Sequence, residues 1–150
     1  MQGEWSLEIQ VDRQREEELT DKLVAFNRAA APIVDVRFEP ENLKSEPLQV
    51  YAVTTKGTVI GGCVGRVERV WHWLTIDLMW VDREWAGQGV GSGLLAAAEA
   101  EGRARGCRWS DVSTFDFQTP EFYRKQGYTE YGVKHDYPPG HSNHFFRKDL

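Results

Sequence analysis

The stretch "WVDREWAGQGVGSGLLAAAEAEGRARG", residues 80–106, decides how this chain is read. Gly87, Gly89, Gly91 and Gly93 alternate immediately ahead of a segment that otherwise reads as helix. Glycine inside a helix costs roughly 0.5–1 kcal/mol relative to alanine, so the cluster needs a reason. Glycine permits positive φ and lets a ligand approach bare backbone. At a helix N-terminus the first N–H groups lack partners and the macrodipole is positive, so an anion is stabilised there. No lysine or arginine lies between Gly87 and Gly93, which leaves the backbone amides to do the binding. A phosphate or pyrophosphate is the natural guest.

Two familiar phosphate loops do not fit. A P-loop needs a lysine followed by Ser or Thr after its last glycine, and none follows here. A dinucleotide fingerprint can be forced onto Gly91, Gly93 and Ala96. However, "DREWAGQG" separates those glycines from the strand ending at Val81, where that motif needs direct succession. A plain turn is the remaining alternative.

Outward from this segment, "WHWLTIDLMWV" (71–81) is almost continuously apolar and reads as a central strand. Val90, Leu94, Leu95 and Ala98 form a helical stripe closed by Gly106. "CRWSDVSTF" is the next strand, and "TPEFYRKQG" a short helix in which Thr119 can cap, Pro120 suits the first position and Gly127 ends it. "YTEYGVKH" and "NHFFRKDL" form a last strand pair around "DYPPGHS". Upstream, "LQVYAVTT" and "KGTVIGGCVGRVERV" make a hairpin turning at Lys56-Gly57. Residues 32–48 read as a loop with a short helix. Leu19, Leu23, Phe26 and Ala30 lie on one helix face that Pro32 ends. "EWSLEIQV" (4–11) alternates and reads as a first strand. The order β-α-loop-β-β-β-α-β-α-β-β predicts a single α/β (α+β) domain over 1–150, with a mixed sheet and helices on its faces.

Composition sets the outer bounds. With 150 residues, 41% hydrophobic and 27% charged, the chain can bury a core and is not disordered. A formal charge of −5 argues against nucleic acid as partner. Cys63 and Cys107 lack zinc-site spacing and read as reduced, buried thiols, from which a cytoplasmic location is expected. The N-terminal sequence has no apolar run suited to a signal peptide or membrane span. His135, His141 and His144 form no ligand-like cluster, so no metal is expected.

"LMWVDREWAGQGVGSGLL" resembles the acetyl-CoA-binding motif of the GNAT acetyltransferase superfamily, with Val81, Gly87, Gln88, Gly89, Val90 and Gly91 matching and "GSGLL" continuing the match. Arg83 stands where proline is common, and Ala86 replaces the usual arginine or glutamine, removing a polar contact beside the phosphates. "PEFYRKQGYTEYG" is similar to the family's later helix and strand, so the likeness spans nearly the whole chain. It implies a mostly antiparallel central sheet flanked by helices and splayed after its fourth strand. It also implies acetyl-CoA as cosubstrate, a small-molecule or peptide amine as acceptor, and transfer by direct attack in a ternary complex. A non-catalytic acyl-CoA-binding or regulatory protein, or an enzyme using another acyl group or acceptor, is the alternative. The family also allows a homodimer.

Carried over by position, Met79, Trp80 and Val81 supply backbone hydrogen bonds to the pantetheine arm. Ala86, Gly87, Gln88, Gly89, Val90, Gly91, Ser92 and Gly93 form the pyrophosphate loop, and Lys125 can reach a CoA phosphate. Tyr123 aligns with the family's general acid, which gives the departing thiolate a proton, while Phe122 reads as core. A strand N–H near Met79 suits the tetrahedral oxyanion. An acceptor amine with a pKa of about 10 must first lose a proton. Asp77, expected to share a face with Thr75 and Met79, is the candidate base, with Glu68, His72 or water as alternatives. Trp71, Trp73 and Trp80 read as core more readily than pocket. Gln118 departs from the family pattern at its position. The acceptor is expected to contact loop 32–48, the central strand and the final hairpin.

Overall fold

The computed structural model describes residues 3–44 and 46–150. Its sheet comprises β1 (Glu46–Val53), β2 (Val59–Glu68), β3 (Trp73–Val81), β4 (Trp109–Phe115), β5 (Thr129–His135) and β6 (Ser142–Asp149). The helices are α1 (Arg13–Ala30), α2 (Pro32–Arg37), α3 (Val90–Ala104) and α4 (Pro120–Lys125). The strand order is β1-β2-β3-β4-β6-β5, antiparallel throughout except for the β3–β4 pair. That one parallel pair follows from α3, which carries the chain back across the sheet as a crossover.

Local sequence accounts for most boundaries. The β1–β2 turn closes where Gly57 adopts φ +82° and the Thr54 hydroxyl accepts the N–H groups of Lys56 and Thr58. Asp12 caps α1 by accepting the Arg15 N–H at 3.0 Å. Gly106, at φ +93°, ends α3 and lets the Cys107 N–H reach the Gly102 carbonyl at 2.8 Å. Thr119 holds the N-cap position of α4, but its hydroxyl makes no capping bond. The loop expected over 32–48 contains α2 and a short 3-10 turn at Pro40–Asn42, and β1 begins inside it at Glu46.

The core lies between α3 and one face of the sheet. Leu94, Leu95 and Ala98 meet Leu48, Cys63, Leu74, Ile76, Val112 and Phe146, as the apolar stripe predicts. Cys63 and Cys107 are free buried thiols, and burial pushes the Cys63 thiol up to about 11. A polar network crosses this layer. The buried Glu99 carboxylate accepts from Lys148 Nζ at 2.9 Å and from the Tyr128 hydroxyl at 3.3 Å, and Tyr128 also bonds Ser110 at 2.9 Å. α3 is thereby tied to β4 and β6 by charge as well as by apolar contact.

One expected element is not where the pattern placed it. Residues 4–11 form no strand, and their alternating Trp5, Leu7, Ile9 and Val11 stand fully in solvent. An alternating segment forms a strand only when a sheet edge accepts it, and this chain does not bring its own edge to the segment. Among the described residues no helix is long and apolar enough to cross a membrane.

The sheet opens in its middle. β3 and β4 pair from Trp73↔Trp109 to Ile76↔Val112 and no further, so Asp77–Val81 leave one edge of β3 uncovered. A β-bulge stands at the opening. Opposite β2, Leu78 pairs with Val64 but Ile76 pairs with Gly65, which leaves Asp77 as the extra residue. The bulge reverses the facing of everything beyond it: Leu74 and Ile76 are buried, and past the bulge Met79 and Val81 pack on that same core while Leu78 and Trp80 are exposed. The expectation that Thr75, Asp77 and Met79 share a face is thus corrected, because the extra residue shifts the alternation by one. Gly65 makes the bulge possible, since a Cβ there would lie 2.3 Å from the Thr75 carbonyl oxygen. Gly65→Ala is therefore expected to cost about 3 kcal/mol, the upper end for overpacking because backbone is the obstacle. Chemical denaturation checks this.

Candidate active site

The glycine loop is an amide cradle. Gly87 and Gly89 adopt φ +75° and +80°, and Gly89 serves as the N-cap of α3 without any side-chain capping bond. The Gly93 N–H already bonds the Gly89 carbonyl at 3.0 Å. Among the described residues, the N–H groups from Gly87 to Ser92 find no acceptor. Gly91 sits against Phe122, whose ring a Cβ would meet at 3.4 Å. Gly93 has neither positive φ nor a close neighbour, so neither backbone geometry nor packing explains its missing side chain. A ligand lying along the start of α3 would.

This cradle stands beside the open edge of β3. The Asp82 N–H bonds the Ile60 carbonyl at 2.8 Å, and alternation then turns the main-chain groups of Trp80 and Leu78 toward β2. Of the three residues Met79, Trp80 and Val81, only Met79 and Val81 direct backbone polar groups to the open edge. Met79 Cε lies 3.8 Å from the Cβ position of Gly91, which links the edge to the loop. Gln126 at the end of α4 donates to the Ser92 hydroxyl at 3.0 Å, fixing α4 against the same helix start.

Tyr123 projects from α4 into the core, in edge contact with Phe122 and Tyr128 at ring separations of 5.2 and 5.7 Å. The residue is 4% exposed, yet among the described residues its hydroxyl has no hydrogen-bond partner. Burial, helped by the Cys63 thiol, pushes this phenol up to about 12, so it stays protonated throughout the neutral range. Phe122 is partly buried against the core. Lys125 and Ala86 are exposed.

The sheet face away from α3 carries a second feature, which sequence reasoning missed. A cavity of about 310 Å³ opens at the break, lined by Arg66, Thr75, Asp77, Asp111, Tyr131 and Phe145 among others. A larger one of about 630 Å³ shares Arg66, Thr75 and Asp111 with it and runs past Leu43, Lys44 and Glu46 to Trp71 and Trp73. Asp77 is ion-paired with Arg66 at this mouth. Asp111 is different: its Oδ1 is buried with no hydrogen-bond partner among the described residues. Burial raises its carboxyl above the usual range, against the nearby Thr75 hydroxyl and Arg66, which lower it. Asp111 sits on the exposed side of an alternating strand, so its sequence reads as ordinary. Only the cross-strand pairing Thr75↔Asp111 brings it to the break.

The other candidates are engaged elsewhere. Glu68 pairs with Arg37 at 2.8 Å and His72 Nδ1 meets the Gly106 carbonyl at 3.0 Å, both at the end of β3 opposite the break. Gln118 accepts the Phe115 N–H at 2.9 Å and holds a turn. His141 and His144 pair with Asp116 and Glu130. Trp71 and Trp80 are exposed and Trp73 is half-buried, so these rings line cavity and surface instead of packing the core, as their composition had suggested. Among the described residues there is no group of three or more His, Cys, Asp or Glu side chains placed to hold a metal ion.

A glycine cradle at a crossover helix, beside a strand edge that a partial parallel pairing leaves open, defines a class. Residues 46–130 match the family model described as an acetyltransferase (GNAT) domain, and the chain belongs to that family of acyl-CoA-dependent N-acetyltransferases. It is 40% identical over 133 residues to a blasticidin-S acetyltransferase from Streptomyces morookaense, covering 86% of this chain and 96% of that one. The crystal structure of an acetyltransferase from Bacillus cereus superposes with a TM-score of 0.73 at 33% identity, covering 97% of this chain and 98% of the other. An aminoglycoside 6′-N-acetyltransferase crystallised with coenzyme A shares the fold at 18% identity and a TM-score of 0.62, over 87% and 90% of the two chains.

The carboxyl of Asp111 carries a folded-state pKa raised by burial, so the folded protein binds that proton more tightly than the unfolded chain does. Its ionisation therefore costs stability as pH rises from the unfolded toward the folded value. Asp111→Asn is expected to stabilise the fold by roughly 0.5–2 kcal/mol at neutral pH. That advantage should shrink on acidification and vanish below the ordinary carboxylate range. Thermal melts of both proteins from pH 3 to 8 measure it.

Proposed function

We propose that the protein transfers an acetyl group from acetyl-CoA to a primary amine of a small molecule by direct attack in a ternary complex. The observation that carries this reading is the placement of two sites on opposite faces of one break in the sheet. The amide cradle and open β3 edge lie on the α3 side, and the acid-lined cavity lies on the other. The donors fit acetyl-CoA: unpartnered N–H groups from Gly87 to Ser92 suit the pyrophosphate, and Met79 and Val81 suit the pantetheine amides. Ala86 contributes backbone only, and the exposed Lys125 at the end of α4 is the side chain assigned to a CoA phosphate. When bound, acetyl-CoA supplies an activated acetyl thioester.

The chain's own residues would manage the protons. Tyr123 keeps its proton up to about pH 12 and has a hydroxyl with no other partner, which suits it to give that proton to the departing sulfur. Asp111 and Asp77 line the cavity through which an amine reaches the break. A cationic acceptor would be drawn by the Asp111 carboxylate, whose buried oxygen is otherwise unsatisfied. Asp77, held by Arg66, orients this mouth and can take up the ammonium proton through water. Blasticidin-S is the first acceptor to test, because the Streptomyces relative that matches over nearly its whole length is described as acting on it.

Three measurements test this reading. Saturating acetyl-CoA should raise the melting temperature, as any ligand of the folded state must, and no shift would remove the cradle assignment. Thiol release should accompany turnover of blasticidin-S or another primary amine. Binding without release from any amine in a broad panel would make the protein a binder instead of an enzyme. Tyr123→Phe should lower kcat by about 10²-fold, within the range for lost general acid catalysis, and leave the acetyl-CoA-induced melting shift intact. Unchanged kcat with chemistry rate-limiting would take Tyr123 out of that role.

A further inference from the structure

Residues 4–11 and helix α1 are built to be buried, and in this chain they are not. Trp5, Leu7, Ile9 and Val11 alternate with polar residues and are 83–105% exposed. Leu19, Leu23 and Phe26 form one stripe of α1, are all more than half exposed, and belong to a helix with no buried residue. The whole molecule exposes 10974 Å², whereas a compact monomer of 17.2 kDa exposes roughly 7,800 Å². An excess of roughly 3,000 Å² exceeds what an ordinary stable interface takes from one partner, about 800 Å².

A matching surface exists on the sheet. Among the described residues β1 pairs only with β2, which leaves its outer edge open. On the face away from α3, Tyr51, Val53, Leu78 and Trp80 form an exposed apolar patch covered by no helix. α1 does not reach this patch in its own chain because an ordered elbow holds it away. The Ala31 N–H bonds the Asn27 carbonyl at 3.0 Å, Pro32 opens α2 at once, and Arg28 pairs with Asp35 at 2.6 Å across the bend. α2 is in turn anchored to the sheet by Arg37, which bonds Glu68 and the Asn42 carbonyl at 2.8 Å each.

We propose that the protein is a homodimer in which two copies exchange residues 4–30. Each copy's 4–11 segment adds as a strand to the β1 edge of the other, and its α1 covers the Tyr51, Val53, Leu78 and Trp80 face. The arrangement is two-fold symmetric and closes, which satisfies both copies with the same contacts. It also explains why a segment with a clear strand pattern has no strand partner within one chain. Leu78 directly follows Asp77, which lines the acceptor cavity, so the partner's helix would wall one side of that cavity.

Light scattering at micromolar concentration should give twice the 17.2 kDa chain mass. A monomer at every concentration up to 100 μM overturns the proposal. Hydrogen exchange should find the amides of residues 5–11 protected in the dimer, and a dimer with those amides unprotected would mean a different interface. The variant I9D/L23D should run at the single-chain mass with an unchanged far-ultraviolet spectrum, and a variant that stays dimeric overturns the exchange. The first two readouts use the natural chain, so they decide the matter even if that variant fails to fold.

Discussion

The structure depends on a pairing that stops. β3 and β4 run together for four residue pairs and then part at Asp77, and this interruption opens both the β3 edge beside the glycine loop and the cavity on the other face. A parallel pair continued to Val81 would consume the backbone groups that Met79 and Val81 turn to the open edge. It would also close the mouth of the cavity on the other face. The bulge at Asp77 adds a local twist and swaps inward for outward residues, so Met79 faces the glycine loop while Asp77 and Thr75 line the cavity on the other face. Gly65 pins this arrangement, because only a residue without Cβ tolerates the Thr75 carbonyl so close.

Around that opening the core provides rigidity where positioning requires it. α3 is held by Leu94, Leu95 and Ala98 and by the buried Glu99–Lys148–Tyr128 network, so its N-terminus cannot drift from the β3 edge. Replacing one member of such a network would leave a charge buried without its partner, which costs far more than the pair itself contributes. The opposite face of the sheet is held less firmly. Its ion pairs, Arg69–Glu46 and Arg66–Asp77, are largely exposed and contribute little to stability.

Much of this was legible in the sequence because the relevant signals are local. The glycine alternation before an apolar helical stripe marked the loop into α3, since the ease of positive φ, adopted at Gly87 and Gly89, is a property of the residue itself. The hairpin, the helix ends at Gly106 and Gly127 and the central character of β3 were readable for the same reason. The helix carrying Tyr123 was readable from Thr119, Pro120 and Gly127, the acid role came from resemblance, and what the fold adds is the packing of that ring in the core.

What only tertiary structure decided are relations between distant residues. Asp111 looks like any surface carboxylate until its strand is placed against Thr75, where burial and lack of a partner make it distinctive. The bulge at Asp77 depends on Gly65, twelve positions upstream, and no periodicity in either strand announces it. The segment 4–11 shows the limit most plainly. Alternation states that one face of it wants burial, a property of the side chains alone. Which sheet edge supplies that burial is a question of where the chain's elbows point it, and hydrophobic pattern carries no such direction.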